Sequence, residues 1–215
     1  MRLASLLVVL AALVGACHHP SPLLAPTPAG LDAVGPDSFV VRFTTTKGLF
    51  DLKVHRDWSP KGSDRLYWLF EHRYYDGVRF FRVVPNFVAQ FGISPDTAVS
   101  RAWSERRFAD DTVARSNVRG TLSFATGGPN TRTTQLFLNL KDNSRLDSRG
   151  FSVAAQVIAG MPVVDSLYQG YGEGEPRGKG PSQERIAKEG EAYLAKDFPL
   201  LDKVVTARVV QRWKR

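Results

Sequence analysis

One arginine and two glutamines sit where a strand pattern calls for apolar residues. Arg82 lies within V-R-F-F-R-V-V at 78–84, and Gln90 lies between Ala89 and Phe91. Gln135 alternates with Phe137 and Asn139 against Leu136, Leu138 and Leu140. Side chains alternate faces along a strand, so Phe80, Arg82 and Val84 share one face, Val88 and Gln90 another, and Gln135 goes with Phe137. A guanidinium on an apolar face needs partners or a functional reason. Two readings are open on this pattern: an edge strand with Arg82 turned to water, or a functional donor held among apolar residues.

Other chemistries find less support. A hydrolase needs a nucleophile and a base, yet no G-x-S-x-G elbow occurs. His55 and His72 are the only histidines within the domain, and each reads as a surface or helix-face imidazole. The run G-Y-G-E-G-E-P-R-G-K-G at 170–180 suggests phosphate binding, but Gly180 follows Lys179 where a P-loop requires Ser or Thr. No strand precedes it for a dinucleotide fingerprint, so it reads as a flexible surface loop. The net charge of +8 is spread among Asp and Glu, with no dense basic run before Arg212, Lys214 and Arg215. That argues against a nucleic-acid partner.

The elements that must position these residues follow a two-residue period more often than a helical one. With 43% hydrophobic and 23% charged residues, the 215-residue chain suits one well-cored domain. Phe39, Val41 and Phe43, then Phe50, Leu52 and Val54, make a hairpin about Lys47-Gly48. Ser59-Pro60 opens a helix, with serine as N-cap and Leu66, Leu69, Phe70 and Tyr74 as its apolar stripe. Residues 78–92 give two short strands joined at Pro85-Asn86. Residues 93–119 read as loop, 122–124 as strand, 126–131 as a dense turn and 135–139 as strand. Ser144–Asp147 reads as a helical turn, 153–157 as strand, Met161–Tyr168 as a short helix, Ser182–Lys196 as a helix and 203–210 as the closing strand. About eight strands without βαβ alternation predict a mostly β fold, a closed eight-stranded antiparallel barrel capped by two helices, with an extra C-terminal helix.

Residues 1–16 read as a secretory signal peptide: one positive charge, an apolar run too short to span a bilayer comfortably, and small residues before a cleavage point. Val14-Gly15-Ala16-Cys17 resembles a bacterial lipobox, in which the cysteine is lipidated and becomes the mature N-terminus. The alternative is ordinary cleavage beside an incidental cysteine. Cys17 is the only cysteine, which excludes an intramolecular disulfide. Residues 17–37, with prolines at 20, 22, 26, 28 and 36, read as an extended tether holding the domain at 38–215 off a membrane. His18 and His19 read as part of that tether rather than as metal ligands.

F-F-R-V-V-P-N-F-V-A-Q at 80–90, followed by G-T-L-S-F-A-T-G-G-P-N-T-R-T-T-Q-L-F-L at 120–138, resembles the cyclophilin-type peptidyl-prolyl isomerases. R-L-D at 145–147 and G-M at 160–161 follow in family order, so the resemblance covers roughly 38–169 and the closing strand. It implies that Arg82 is the catalytic arginine and that Phe87 and Val88 line a proline pocket. Gln90 then positions the substrate carbonyl and braces the arginine, and backbone groups of Ala125 and Thr126 bind the peptide. Gln135 matches a second glutamine, Phe137 the pocket floor and Leu146 a pocket leucine. Several positions depart from the family. Arg145 stands where many members have the tryptophan tied to cyclosporin affinity. Phe151 and Phe81 stand where histidines are common, and Phe91-Gly92-Ile93 replaces a Gly-Gly-Asp turn. The segment 170–200 reads as an insertion outside the common pattern.

The resemblance implies isomerisation of X-Pro bonds, with proline-containing polypeptides as substrates, no cofactor and no metal. An X-Pro amide resists rotation by about 18–20 kcal/mol because nitrogen shares its lone pair with the carbonyl. A donor aimed at the prolyl nitrogen localises that lone pair in the twisted transition state, and arginine suits the task. With the lipobox it further implies a monomeric isomerase of a bacterial envelope, anchored through Cys17. Two alternatives remain at this point: a non-catalytic proline-binding or chaperone module of the same shape, and a lipoprotein that scaffolds partners through residues 170–200.

Overall fold

The computed structural model describes residues 21–214; the expected signal peptide, Cys17, His18 and His19 lie outside them. The elements run α1 (Pro28–Leu31), β1 (Ser38–Thr45), β2 (Gly48–His55), α2 (Pro60–Glu71), β3 (Arg82–Val83), β4 (Val88–Phe91) and α3 (Thr97–Ser104). They continue with β5 (Thr121–Phe124), β6 (Leu136–Asn139), a 3-10 helix (Ser144–Arg149), β7 (Val153–Ala159), α4 (Met161–Asp165), α5 (Gln183–Asp197) and β8 (Val204–Trp213).

All eight strands join one antiparallel sheet in the order β3-β4-β6-β5-β7-β2-β1-β8. The sheet curves into an open half-barrel, not the closed barrel expected from strand count. The reason lies at its edges: β3 is two residues long and offers no ladder to β8. The two edges meet only through the Arg79–Lys203 bridge and a few backbone bonds such as Phe80 N to Asp202 O at 2.9 Å. The concave side is filled by Phe43 stacked on Phe50 at 4.6 Å, with Phe70 and Phe91 edge-on to Phe43.

Helix α2 buries Leu66, Leu69 and Phe70 against this core, as its periodicity predicts. Ser59 holds the N-cap position but does not cap with its own side chain. Its hydroxyl donates to Asp111 Oδ2 at 2.6 Å, and the Asp111 carboxylate accepts from the amides of Lys61 and Gly62. A carboxylate at a helix N-terminus satisfies orphan donors and complements the helix dipole.

Three segments depart from expectation. The stretch 93–119 is not all loop: α3 forms there, with Asp96 accepting from Ala98 N and Val99 N, and it buries Val99 and Trp103. The proline-rich segment lies on the domain from Ser21 onward instead of standing off it. Leu23 and Leu31 pack against the core, Trp103 Nε1 donates to Leu23 O at 2.8 Å, and Gly35 N donates to Asp64 Oδ1 at 2.9 Å. The C-terminal helix spans nearly the expected residues but breaks at Gly190 (φ 61°), where a Cβ would meet Pro95 O at 2.3 Å. Its apolar face, Ile186, Tyr193 and Leu194, covers Phe81 together with Phe198 and Leu201. Phe81 and Phe91 are thus packing residues, one under α5 and one in the barrel core.

Candidate active site

The short strands at the sheet edge set the geometry. Arg82 on β3 pairs in register with Gln90 on β4, and Gln90 with Phe137 on β6. Cross-strand neighbours lie about 5 Å apart, so their polar ends can meet. Gln135 Oε1 accepts from Gln90 Nε2 at 2.9 Å, and Gln90 Oε1 accepts from Arg82 Nη1 at 3.0 Å. Gln90 is 8% exposed, so both ends of its amide are satisfied out of water. Arg82 therefore does not turn to water as an edge-strand residue; its guanidinium also lies 5.4 Å from the centre of the Phe87 ring.

Beside this relay, Val88, Phe137 and Leu146 form a separate apolar cluster, with Phe87, Ala125 and Phe151 packed against it. Phe151 meets Phe137 edge to face at 5.5 Å. A cavity of about 840 Å³ opens here. Arg82, Phe87, Val88, Gln90, Ala125, Thr126, Phe137, Leu146 and Phe151 all line it. Gln135 does not; it stands behind Gln90. Arg145 is not in the cavity wall but lies 4.8 Å from the centre of the Phe87 ring, so that ring carries a guanidinium from two residues.

The walls are held by groups that no local sequence pattern announces. Three buried asparagines, Asn117, Asn139 and Asn143, bond to one another's side chains in a chain. Asn143 Nδ2 donates to Phe87 O at 2.9 Å and Asn117 Nδ2 donates to Phe151 O at 2.7 Å, which pins both pocket rings through their backbones. Asp147 receives Ser116 Oγ and Asn117; burial pushes its carboxyl up, but these hydrogen bonds outweigh that and hold it below the usual range. The turn at 126–131, whose residues 126–129 also line the cavity, is tied by Thr126 Oγ1 to Thr131 Oγ1 at 2.8 Å. Beneath it Arg132, 2% exposed, sits over Phe108 at 4.3 Å and pairs with Asp110 and Asp111.

The stretch 170–181, expected as a flexible surface loop, instead forms a wall of the cavity through Glu173, Gly174, Glu175, Pro176 and Arg177. The Glu173 carboxylate accepts Arg82 Nε at 2.5 Å and Nη2 at 2.7 Å. The loop is drawn together by Gly180 N to Glu173 O at 2.8 Å and a bridge between Gly174 and Gly180. Sequence reasoning missed this residue; the one available signal was an Arg82 whose charge had no assigned carboxylate.

His55 stacks on Trp58 and His72 on Trp68, and neither lines the cavity. Burial, with Lys53 nearby, pushes the His55 imidazole down from its ordinary value. Among the described residues no group of three or more His, Cys, Asp or Glu side chains is placed to hold a metal ion, and no helix is long and apolar enough to cross a membrane.

Residues 40–188 match the family described as cyclophilin type peptidyl-prolyl cis-trans isomerase/CLD. The match extends beyond the region read from motifs and takes in the loop at 170–181. A peptidyl-prolyl cis-trans isomerase of Acinetobacter baylyi is 29% identical over 133 residues, covering 60% of this chain and 71% of that protein. A peptidyl-prolyl cis-trans isomerase-like 1 of Aspergillus oryzae is 31% identical over 162 residues, covering 70% of this chain and 97% of its own. Among solved structures, a cyclophilin type isomerase of Cryptosporidium parvum superposes with a TM-score of 0.60 over 80% of this chain and 97% of its own, at 19% identity.

Proposed function

The chain belongs to the cyclophilin-type peptidyl-prolyl cis-trans isomerases, and we propose that Arg82 performs its catalysis by donating to the prolyl nitrogen of a peptide seated in the cavity. The observation that carries this reading is that Arg82 and the apolar cluster of Val88, Phe137 and Leu146 share one cavity, with Gln90 bonded to the guanidinium. The apolar wall takes the pyrrolidine ring and excludes water, while the preceding carbonyl is free to swing. Uncatalysed X-Pro exchange takes roughly tens to hundreds of seconds. A donor that engages the nitrogen only as the amide twists lowers the barrier without tightening the ground state. One charge-assisted contact of about 1.5–3 kcal/mol supplies part of the acceleration, and the preorganised, desolvated pocket supplies the rest. Ala125 and Thr126 line the same cavity and would bind the peptide through backbone groups, the Ala125 N–H excepted because it donates to Gln135 O at 2.9 Å.

A proline-peptide exchange assay tests this. The wild type accelerates exchange, and Arg82→Ala with a native circular dichroism spectrum loses at least tenfold in kcat/KM. Activity in the variant equal to wild type would remove Arg82 from the mechanism.

We further propose that the enzyme acts as a monomer on folding proteins of a bacterial envelope, anchored through a lipidated Cys17. The support is the sequence Val14-Gly15-Ala16-Cys17 behind an apolar leader. Mass spectrometry of the mature N-terminus decides it: a diacylated or triacylated Cys17 is expected, and an unmodified cysteine or cleavage elsewhere overturns the anchor.

A further inference from the structure

The loop at 170–181 brings to the site a carboxylate that touches neither the proline ring nor the rotating bond in the proposed reaction. Glu173 grips the side edge of Arg82 in a fork, Nε to Oε1 at 2.5 Å and Nη2 to Oε2 at 2.7 Å. Gln90 holds Nη1 at 3.0 Å. A guanidinium has five N–H donors. Two go to Glu173 and one to Gln90, which leaves one on Nη1 and one on Nη2. The carboxylate is itself fixed, because Gly174 N donates to Oε1 at 3.1 Å and Gly180 N closes the loop onto the Glu173 carbonyl. The hydrogen bond from Arg82 is the main influence holding the Glu173 carboxyl below its usual range.

The contact does not plug the pocket. With the ion pair formed, a cavity of about 840 Å³ lined by Arg82, Phe137, Leu146 and Glu173 remains. The pair is shielded but not sealed, at 16% side-chain exposure for Arg82 and 32% for Glu173. A lock would consume the guanidinium or fill the proline pocket, and neither occurs.

We propose that Glu173 is a positioning residue for the isomerisation, fixing the plane of the Arg82 guanidinium so that its two remaining N–H groups are presented to the peptide. This rests on the reading of Arg82 as the donor. A long side chain held at both edges before the substrate arrives has less ordering left to do in the transition state. Bidentate pairing sets orientation as well as charge. Because Glu173 acts on the arginine and not on the proline ring, its contribution falls on kcat more than on binding.

Exchange kinetics on an uncharged proline tetrapeptide, measured on wild type, Glu173→Ala, Glu173→Gln and Arg82→Ala, test the assignment. Glu173→Ala is expected to lower kcat about tenfold, equivalent to about 1.4 kcal/mol, with KM changed less than about twofold. Glu173→Gln, which keeps one acceptor oxygen, falls between. A kcat at or above wild type in Glu173→Gln, or a loss confined to KM, overturns the proposal. Should Glu173→Ala fold poorly, the nearly isosteric Glu173→Gln decides alone. An inactive Arg82→Ala beside a fully active Glu173→Gln removes only the role of Glu173, whereas a fully active Arg82→Ala removes both.

Discussion

Asp111→Asn perturbs the frame of the site without touching the proline pocket. Asp111 Oδ2 accepts from Ser59 Oγ at 2.6 Å and from Gly62 N at 2.9 Å, and Oδ1 accepts from Lys61 N at 3.1 Å. Arg132 Nη2 stands 3.1 Å from Oδ2, with only 2% and 4% of the two side chains exposed. Asparagine offers one acceptor oxygen and places an NH2 group where donors converge. Arg132 then relies on Asp110, which is 32% exposed, for its counter-charge. Removing one member of a buried pair costs about 3–5 kcal/mol. The lower end applies here, about 3 kcal/mol, because the Ala109 carbonyl and the Phe108 and Phe124 rings still hold the guanidinium. At about 2–4 °C per kcal/mol for a chain of this size, the midpoint falls by about 6–12 °C. The pH dependence has a definite sign. Burial pushes the Asp111 carboxyl up, but hydrogen bonds from Ser59, Gly62 and Lys61 and the charge of Arg132 outweigh it, so it titrates below its ordinary value. Its stabilisation is therefore complete above the unfolded pKa of about 3.9 and is lost as pH falls through the folded value. Thermal melts followed by circular dichroism, at neutral pH and in steps down to about pH 3, should show a gap between wild type and variant that narrows on acidification. A midpoint within about 2 °C of wild type at neutral pH, or a gap that widens with acid, would show that the Asp111–Arg132 pair does not stabilise this frame.

Three further outcomes follow from the site and its support. Gln135→Leu removes the acceptor for the buried Gln90 amide; an unsatisfied buried donor costs about 1–3 kcal/mol, and kcat/KM in the exchange assay should fall by about tenfold, with an unchanged value counting against the relay. Phe137→Ala empties the pocket floor, so saturation kinetics should show KM rising more than kcat falls; the reverse pattern would assign the ring to the chemistry and not to holding proline. Phe81→Ala truncates a ring packed under α5 and should lower stability by about 3–5 kcal/mol in urea unfolding, while kcat/KM per folded molecule stays at wild type; a changed peptide preference would show that position 81 reaches the site after all.

The strands were legible because Phe39–Phe43 and Phe50–Val54 alternate in sequence, a period that β2 keeps in its burial, whereas Leu136–Asn139 is buried on both faces and was legible from the polar residues Gln135 and Asn139 spaced among leucines. Arg82, Gln90 and the pocket phenylalanines were legible because polar residues in apolar runs stand out, and the long motifs around them fixed their order. Closure of the barrel was not, since strand count says nothing about whether a two-residue β3 can ladder with β8. Helix α3 hid in a polar stretch, although Asp96 before Thr97 and Ala98 was an available cap signal. The docking of residues 21–37 and the pairing of Glu173 with Arg82 depend on contacts across 80 and 91 residues, and local composition cannot report these. Glycine and proline in 170–181 indicated a loop correctly but said nothing of where it would lie. The departure at Phe81 acquires a cause only once α5 is seen to cover it.

The proposed role places Arg82 on the rotating bond and not merely on peptide affinity. Magnetisation-exchange NMR of a proline peptide under saturating Arg82→Ala separates the two, because binding and bound-state interconversion are read in one experiment. Affinity within a few-fold of wild type is expected, with bound-state exchange at least tenfold slower, the loss of a charge-assisted contact of about 1.5–3 kcal/mol. Bound-state exchange at the wild-type rate, with or without weakened binding, would contradict that role.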